Sequence, residues 1–121
     1  MNDSVNGVND KNYNDILGRR VYCNLLYDFY SPLLTERQRK VYETLCFSDL
    51  TLSEAADVLG ISRQGVYVLV RNVMEKLECL EDKLSFASTT RRLESRIKEL
   101  EAENQSLKLK LKNGKEENNH V

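Results

Sequence analysis

The chain has 121 residues, of which 40% are hydrophobic and 31% are charged, and its net charge is −1. This composition fits one small globular domain with an appendage, and the balance of charges argues against a general polyanion binder. No apolar run approaches the roughly 18 residues that a membrane-spanning helix needs. The polar N-terminal segment lacks the apolar region of a signal peptide, so we expect a cytoplasmic protein.

Residues 1–12 are polar and aperiodic, which predicts a disordered arm. From residue 13, the pattern predicts an amphipathic helix with a broad apolar face. Its apolar positions recur every four residues, at Leu17, Val21, Leu25 and Phe29. We expect Pro32 to end this helix near Tyr30. The apolar face is either part of the core or the main contact of a dimer.

Start and stop signals predict three further helices. Two capping boxes, T-E-R-Q at 35–38 and T-L-S-E at 51–54, each place a helix directly after a threonine. Gly60 suits the left-handed position at the end of the second of these helices. Ser62 is then a suitable N-cap for a helix over 63–84. The sequence thus predicts an all-α domain over residues 13–84.

The segment LSEAADVLGISRQGVYVLV, residues 52–70, predicts a helix-turn-helix. This motif needs a small residue where its two helices meet, a glycine in the turn and apolar residues on the inner faces. We expect these structural positions to be Ala56, Gly60, Ile61, Val66 and Leu69.

The outward side of the second helix is the candidate binding surface. Its residues are predicted to be Arg63, Gln64, Tyr67, Val68, Arg71 and Asn72. Residues 35–84 contain seven Lys+Arg and nine Asp+Glu, so this region lacks the cations that phosphate neutralisation requires. Three interpretations stay open: a protein or ribonucleoprotein partner, DNA, or a solvated helix without a ligand.

A hinge or irregular turn is predicted at residues 85–89, and a continuous helix is the competing interpretation. Residues 90–112 then predict a coiled coil, because apolar residues alternate at spacings of three and four. The d positions are Leu93, Leu100 and Leu107, and the a positions are Ile97, Asn104 and Leu111. Residues 113–121 are predicted to be a disordered tail.

The coiled-coil pattern predicts a parallel homodimer. An asparagine at an a position, here Asn104, fixes two strands in register. In a parallel pair, Arg96 meets Glu101 of the partner, and Glu103 meets Lys108. Both pairs join opposite charges. A leucine-zipper transcription factor would also need a dense basic helix before the zipper, and the sequence lacks one.

Catalytic and metal-binding patterns are missing from the sequence. The one histidine, His120, lies in the C-terminal tail, and no glycine-rich phosphate loop is present. Cys23, Cys46 and Cys79 have no C-x-x-C spacing, so we expect three reduced thiols buried on helix faces. We therefore expect no enzyme, no cofactor, no metal and no small-molecule substrate.

Residues 20–86 resemble the YlxM family of small bacterial helix-turn-helix proteins. The resemblance lies in LLYDFYSPLLTERQRKVYETL and in SDLTLSEAADVLGISRQGVYVLVRNVMEKLECLEDKL. Residues 34–77 are also similar to region 4 of sigma factors. The family's second-helix motif falls on Ser62, Arg63, Gln64, Val66 and Tyr67, while Gly65 and Val68 depart from it.

This resemblance implies a function in protein targeting. Family members are encoded beside signal recognition particle genes and are thought to act in, or regulate, co-translational targeting. It implies an accessory or regulatory protein whose partners include the GTPase or the RNA of the particle. The alternative is a sequence-specific DNA-binding regulator.

Overall fold

A computed structural model describes the backbone of residues 10–119 and the side chains of residues 13–115. The described residues are mostly helical and include no strand, which confirms the all-α helix-turn-helix class. Its α-helices are α1 (Asp10–Tyr30), α2 (Glu36–Cys46), α3 (Leu52–Leu59), α4 (Arg63–Leu84) and α5 (Phe86–Asn119), with a short 3₁₀ turn at Ser31–Leu33. A first compact unit extends to Ala87, and a second unit begins at Ser88.

Helix α1 has apolar residues on two sides. One side is buried in the core and consists of Ile16, Cys23, Leu26, Tyr27 and Tyr30. The stripe predicted from the four-residue spacing is largely on the other side, where Val21 is 82% exposed. Periodicity alone did not identify the core side, because apolar residues surround most of this helix. Helix α1 also begins at Asp10, inside the predicted arm, and residues 1–9 of that arm lie outside the described residues.

Both predicted capping boxes are present. The Thr35 hydroxyl accepts a hydrogen bond from the Gln38 backbone N–H at 3.1 Å, and Gln38 Oε1 accepts from the Thr35 N–H at 2.8 Å. Thr51 and Glu54 make the same reciprocal pair at 3.1 and 3.0 Å. The hydrogen bonds from Thr51 lower the pKa of Glu54. These caps satisfy N–H groups that have no partner within their own helix.

Helix α4 is the central helix of the first unit, because it packs against α1, α2 and α3. Its buried side consists of Val66, Tyr67, Val70, Val73, Met74, Leu77 and Glu81. Cys23 and Cys46 also lie in this core, and burial raises their pKa values to about 12 and about 11. The prediction that all three cysteines are buried is wrong for Cys79, which lies on the exposed side of α4.

The turn between α3 and α4 is a glycine C-cap. Gly60 adopts the left-handed conformation, with φ of 67° and ψ of 29°. Its N–H donates to Asp57 O at 3.3 Å, and the N–H of Ile61 donates to Ala56 O at 3.2 Å. These two bonds form a Schellman motif, which satisfies carbonyl groups at the end of α3. The helix-turn-helix therefore turns at the glycine that the sequence predicts.

The break between α4 and α5 is confined to Ser85, which is left-handed with φ of 54°. The N–H of Ser85 donates to Glu81 O at 2.8 Å. Residues 86–89 are helical, so the predicted hinge at 85–89 is narrower than expected. Helix α5 also includes residues 113–119 of the predicted tail, and residues 120 and 121 lie outside the described residues.

A buried hydrogen-bond cluster surrounds the start of α5. The Tyr30 hydroxyl donates to Glu81 Oε1 at 2.6 Å and accepts from the Phe86 N–H at 3.0 Å. Glu81 Oε1 also accepts from the Ala87 N–H at 3.0 Å. The rings of Tyr30 and Phe86 stack with centroids 5.6 Å apart. Tyr30 and Glu81 thus cap the first turn of α5, and burial raises the pKa of the Tyr30 phenol.

We expect Tyr30→Phe to lower the free energy of unfolding by about 1–3 kcal/mol, because it removes the hydroxyl that donates to the buried Glu81 and accepts from the Phe86 N–H. Tyr22→Phe is the matched control, since Tyr22 is half-exposed on the same helix. It should change stability by less than about 0.5 kcal/mol. Urea unfolding followed by circular dichroism measures both effects, and equal effects of the two substitutions would contradict the cluster's role.

Gly60→Ala tests the turn. We expect a loss of about 1–2 kcal/mol, because a side chain strains the left-handed conformation. Gly18→Ala is the control, since Gly18 is helical and nothing lies within 4 Å of an added Cβ atom. It should stabilise α1 by up to about 1 kcal/mol. Thermal unfolding should thus move in opposite directions for the two variants, and a stabilising Gly60→Ala would contradict the assigned turn.

Candidate binding surface on the helix-turn-helix

The predicted structural residues of the motif hold α3 against α4. Ala56 and Val66 are buried, and Ile61 and Leu69 are partly buried against the same core. Ala55 is also fully buried, so two successive small residues lie on the inner side of α3. Small side chains allow two helices to approach closely. Ala55 and Ala56 therefore permit close packing of α3 in the core.

The first turn of α4 is capped by Ser62. Its hydroxyl accepts a hydrogen bond from the Gly65 N–H at 2.9 Å. A Cβ atom at residue 65 would lie 3.2 Å from the Ser62 hydroxyl oxygen, which is a tight contact. Arg63 and Gln64 lie directly after the cap and are partly exposed. The N-terminal end of α4 thus presents one cation and one amide beside the turn.

The predicted outward set is only partly outward. Arg63, Gln64, Val68 and Arg71 are partly exposed, and Asn72 is exposed. Tyr67 was predicted to face outward, but it is only 8% exposed and belongs to the core. The reason is that α4 packs against three helices and buries a wide side, which includes residue 67. Val70, two residues after Val68, is fully buried.

Arg71 already has partners within its own helix. Its Nε lies 3.8 Å from Glu75 Oε1, and its guanidinium lies 5.7 Å from the centre of the Tyr67 ring. Such a pair and cation–π contact hold the side chain along the helix surface. Gln64 Oε1 is buried and has no hydrogen-bond partner among the described residues.

Helix α3 adds acidic and apolar groups next to this surface. Glu54 and Asp57 are both exposed, and the hydrogen bonds from Thr51 lower the pKa of Glu54. Val58, in the last turn of α3, is 65% exposed. Val58 is not among the residues predicted from the sequence. Its outward position could have been predicted from the helical spacing, because the inward positions of α3 are occupied by Leu52, Ala55, Ala56 and Leu59.

The predicted coiled-coil residues all lie in the second unit. Leu93, Ile97, Leu100, Asn104, Leu107 and Leu111 are exposed on α5. The described residues hold no group of three His, Cys, Asp or Glu placed to bind a metal ion. None of the described helices combines the length and the apolar character needed to cross a bilayer.

Comparison with known proteins identifies the family. Residues 17–117 match the family described as "Putative helix-turn-helix protein, YlxM / p13 like", UPF0122. A UPF0122 protein of Caldanaerobacter subterraneus is 36% identical over 80 residues, which are 66% of this chain and 68% of that protein. One of Symbiobacterium thermophilum is 43% identical over 68 residues, 56% of this chain and 64% of that protein.

A third relative, from Staphylococcus carnosus, is 40% identical over 75 residues, which cover 62% of this chain and 67% of that protein. Across the first relatives compared, this chain spans 55% to 68% of their length. The family match, in contrast, extends over both compact units. The chain therefore belongs to the UPF0122 family of YlxM/p13-like helix-turn-helix proteins.

Proposed function

We propose that this chain is a non-enzymatic regulatory protein of the cytosol that takes part in the signal recognition particle pathway. It acts by binding a protein or ribonucleoprotein partner through the α4 surface, defined as Arg63, Gln64, Val68, Arg71 and Asn72. The observation that carries this proposal is the chemistry of that surface. It combines two arginines with one partly exposed apolar side chain, Val68, beside an acidic α3.

Electrostatics favours a partner other than bare duplex DNA. Non-specific affinity for DNA comes mainly from neutralising phosphates with Lys and Arg. Residues 35–84 carry a net charge of −2. Arg71 lies within ion-pair distance of Glu75, and Glu54 and Asp57 are exposed on the neighbouring helix. A phosphate backbone laid across both helices would meet carboxylates on α3.

The apolar groups and the amide favour a protein surface. Val58 is exposed at the end of α3, and Val68 is partly exposed on α4. Protein interfaces bury apolar groups at their centre and often use arginine as a dominant contact. Arg63 and Gln64 could reach either a protein group or an RNA base edge of a ribonucleoprotein. The choice of pathway depends on the family resemblance, which implies an association with the signal recognition particle.

Titration of the chain with the particle's GTPase alone, its RNA alone and the assembled particle tests this proposal. We expect Arg63→Ala to weaken binding to the true partner at least about tenfold, the effect of losing one dominant interface contact. Lys83→Ala is the matched control, because Lys83 is exposed in the last turn of the same helix. It should change affinity less than about twofold.

Two outcomes would contradict the proposal. The first is that none of the three preparations binds. The second is that Lys83→Ala weakens binding as much as Arg63→Ala does, since the α4 surface would then not be the site. Circular dichroism of both variants should match the unaltered chain, because both changed side chains lie at least partly on the surface.

Sequence-specific DNA binding is the alternative, favoured by Arg63 and Gln64 at the capped N-terminal end of α4. That end of a second helix is where helix-turn-helix proteins contact base edges. Because Tyr67 is buried, this alternative now depends on Arg63, Gln64, Arg71 and Asn72. It predicts that log affinity falls with log salt concentration by about 0.9 per phosphate contact. Equal affinity for the protein's own promoter and for random duplex would exclude this alternative.

A further inference from the structure

We propose that α5 pairs with the α5 of a second copy of this chain as a parallel, in-register coiled coil over residues 93–111. The contact surface, here called the α5 ridge, is formed by Leu93, Ile97, Leu100, Asn104, Leu107 and Leu111. This inference is independent of the partner proposed above. The tests below can therefore fail while that proposal stands, and the reverse is also true.

The α5 ridge is an apolar surface whose side chains are exposed in the part of the chain that the structure describes. Its five apolar side chains are between 46% and 67% exposed. They lie at consecutive a and d positions of a heptad repeat, so they form one line along the helix. Scattered exposed apolar residues are ordinary, but a continuous line of them marks an interaction surface.

The length and continuity of α5 fit a short coiled coil. The helix is uninterrupted from Phe86 to Asn119. The ridge is about 28 Å long at 1.5 Å per residue. A helix that buries no apolar side is marginally stable in water, since most helix stability in proteins comes from packing. A second helix on the ridge would supply that packing.

Charge complementarity identifies the occupant as a second copy in parallel orientation. Arg96 and Glu103 lie at g positions, while Glu101 and Lys108 lie at e positions. In a parallel pair, each g residue faces the next e residue of the partner. Arg96 then faces Glu101 and Glu103 faces Lys108, which gives two attractive pairs on each side. Within one chain, Arg96 pairs with Glu99 at 3.0 Å, but both side chains are exposed and such pairs are weak.

The antiparallel arrangement is disfavoured by the same residues. Its register with matched a and d layers places Arg96 beside Lys110 of the second copy. It also places Glu101 beside Glu101 and Glu103 beside Glu103. Most facing charges would then repel. The Asn104 amide would face Leu100 and lose a polar partner, whereas in the parallel register two Asn104 amides face each other.

The sequence also limits the coiled coil at its C-terminal end. The next d position after Leu107 is Gly114, which offers no side chain for packing. The next g and e positions are Lys110 and Lys115, which would face each other as like charges. Pairing should therefore end near Leu111.

Disulfide trapping tests the orientation in a Cys79→Ser background, which removes the exposed native thiol. The buried Cys23 and Cys46 stay unreactive in the folded chain, because burial raises their pKa values. Gly114→Cys should form a disulfide-linked dimer under mild oxidation, and its added Cβ has nothing within 4 Å. A mixture of size-tagged Thr90→Cys and Gly114→Cys chains should yield no mixed disulfide.

A mixed disulfide between residues 90 and 114 would overturn the parallel orientation. Sedimentation equilibrium over about a hundredfold range of concentration tests pairing itself. We expect a reversible monomer–dimer equilibrium of the full chain, and a strict monomer across that range would overturn the proposal.

Charge reversal tests the register. Glu101→Lys should raise the dimer dissociation constant at least about threefold, because it faces Arg96 of the partner with a like charge. Adding Arg96→Glu to this variant should restore the dissociation constant of the unaltered dimer. Lys98→Glu is the control, since it also reverses a charge on α5 but changes an exposed side chain at a b position, outside the ridge and its flanks. If Lys98→Glu weakens the dimer as much as Glu101→Lys, or if the double variant shows no recovery, the register is wrong.

Discussion

The burial of one wide side of α4 is the constraint on which the rest of the first unit depends. Helices α1, α2 and α3 all pack against α4, and together they take up Val66, Tyr67, Val70, Val73, Met74 and Leu77. The part of the first turns of α4 that is not buried is a narrow surface. This surface carries Arg63, Gln64, Arg71 and Asn72, with Val68 at its edge. These few side chains are what α4 offers to a partner at its N-terminal end.

Two different sets of local contacts stabilise the ends of α4. At the start, Ser62 caps the first turn, and the left-handed Gly60 reverses the chain after α3. At the other end, Tyr30 and Glu81 accept the first N–H groups of α5. The contacts of Tyr30 and Glu81 join α1 and α4 to the beginning of α5 within the first unit. Both the candidate surface and the start of the ridge-bearing helix therefore depend on buried contacts of the same core.

Much of the fold follows from local signals in the sequence. The two capping boxes, Gly60 and Ser62 were sufficient to place the ends of α2, α3 and α4, because each of these signals satisfies backbone groups at a helix end. The break after Leu84 was expected, but only a tertiary contact explains why it involves Ser85 alone. Tyr30, distant in sequence, provides the acceptor that allows the helix to restart at Phe86.

The side of each helix that faces the core was harder to predict. In α1 and α4, apolar residues occupy two neighbouring stripes, so the period of 3.6 residues permits more than one buried side. The structure selects Cys23 and Leu26 rather than Val21 in α1, and it buries Tyr67 in α4. Cys79 was predicted to be buried but is exposed, because α4 also has more than one possible buried side. The sequence thus predicted the polar residues of the candidate surface. The prediction was wrong for Tyr67, and it missed Val58.

The central claim is that the α4 surface, and not another face of the chain, contacts the partner. Amide hydrogen exchange of the chain with and without the assembled signal recognition particle tests it most directly. The account predicts slower exchange in the presence of the particle across residues 62–72 and the last turn of α3, with little change along the exposed side of α1. Unchanged exchange at residues 62–72, together with protection around Val21, would contradict it.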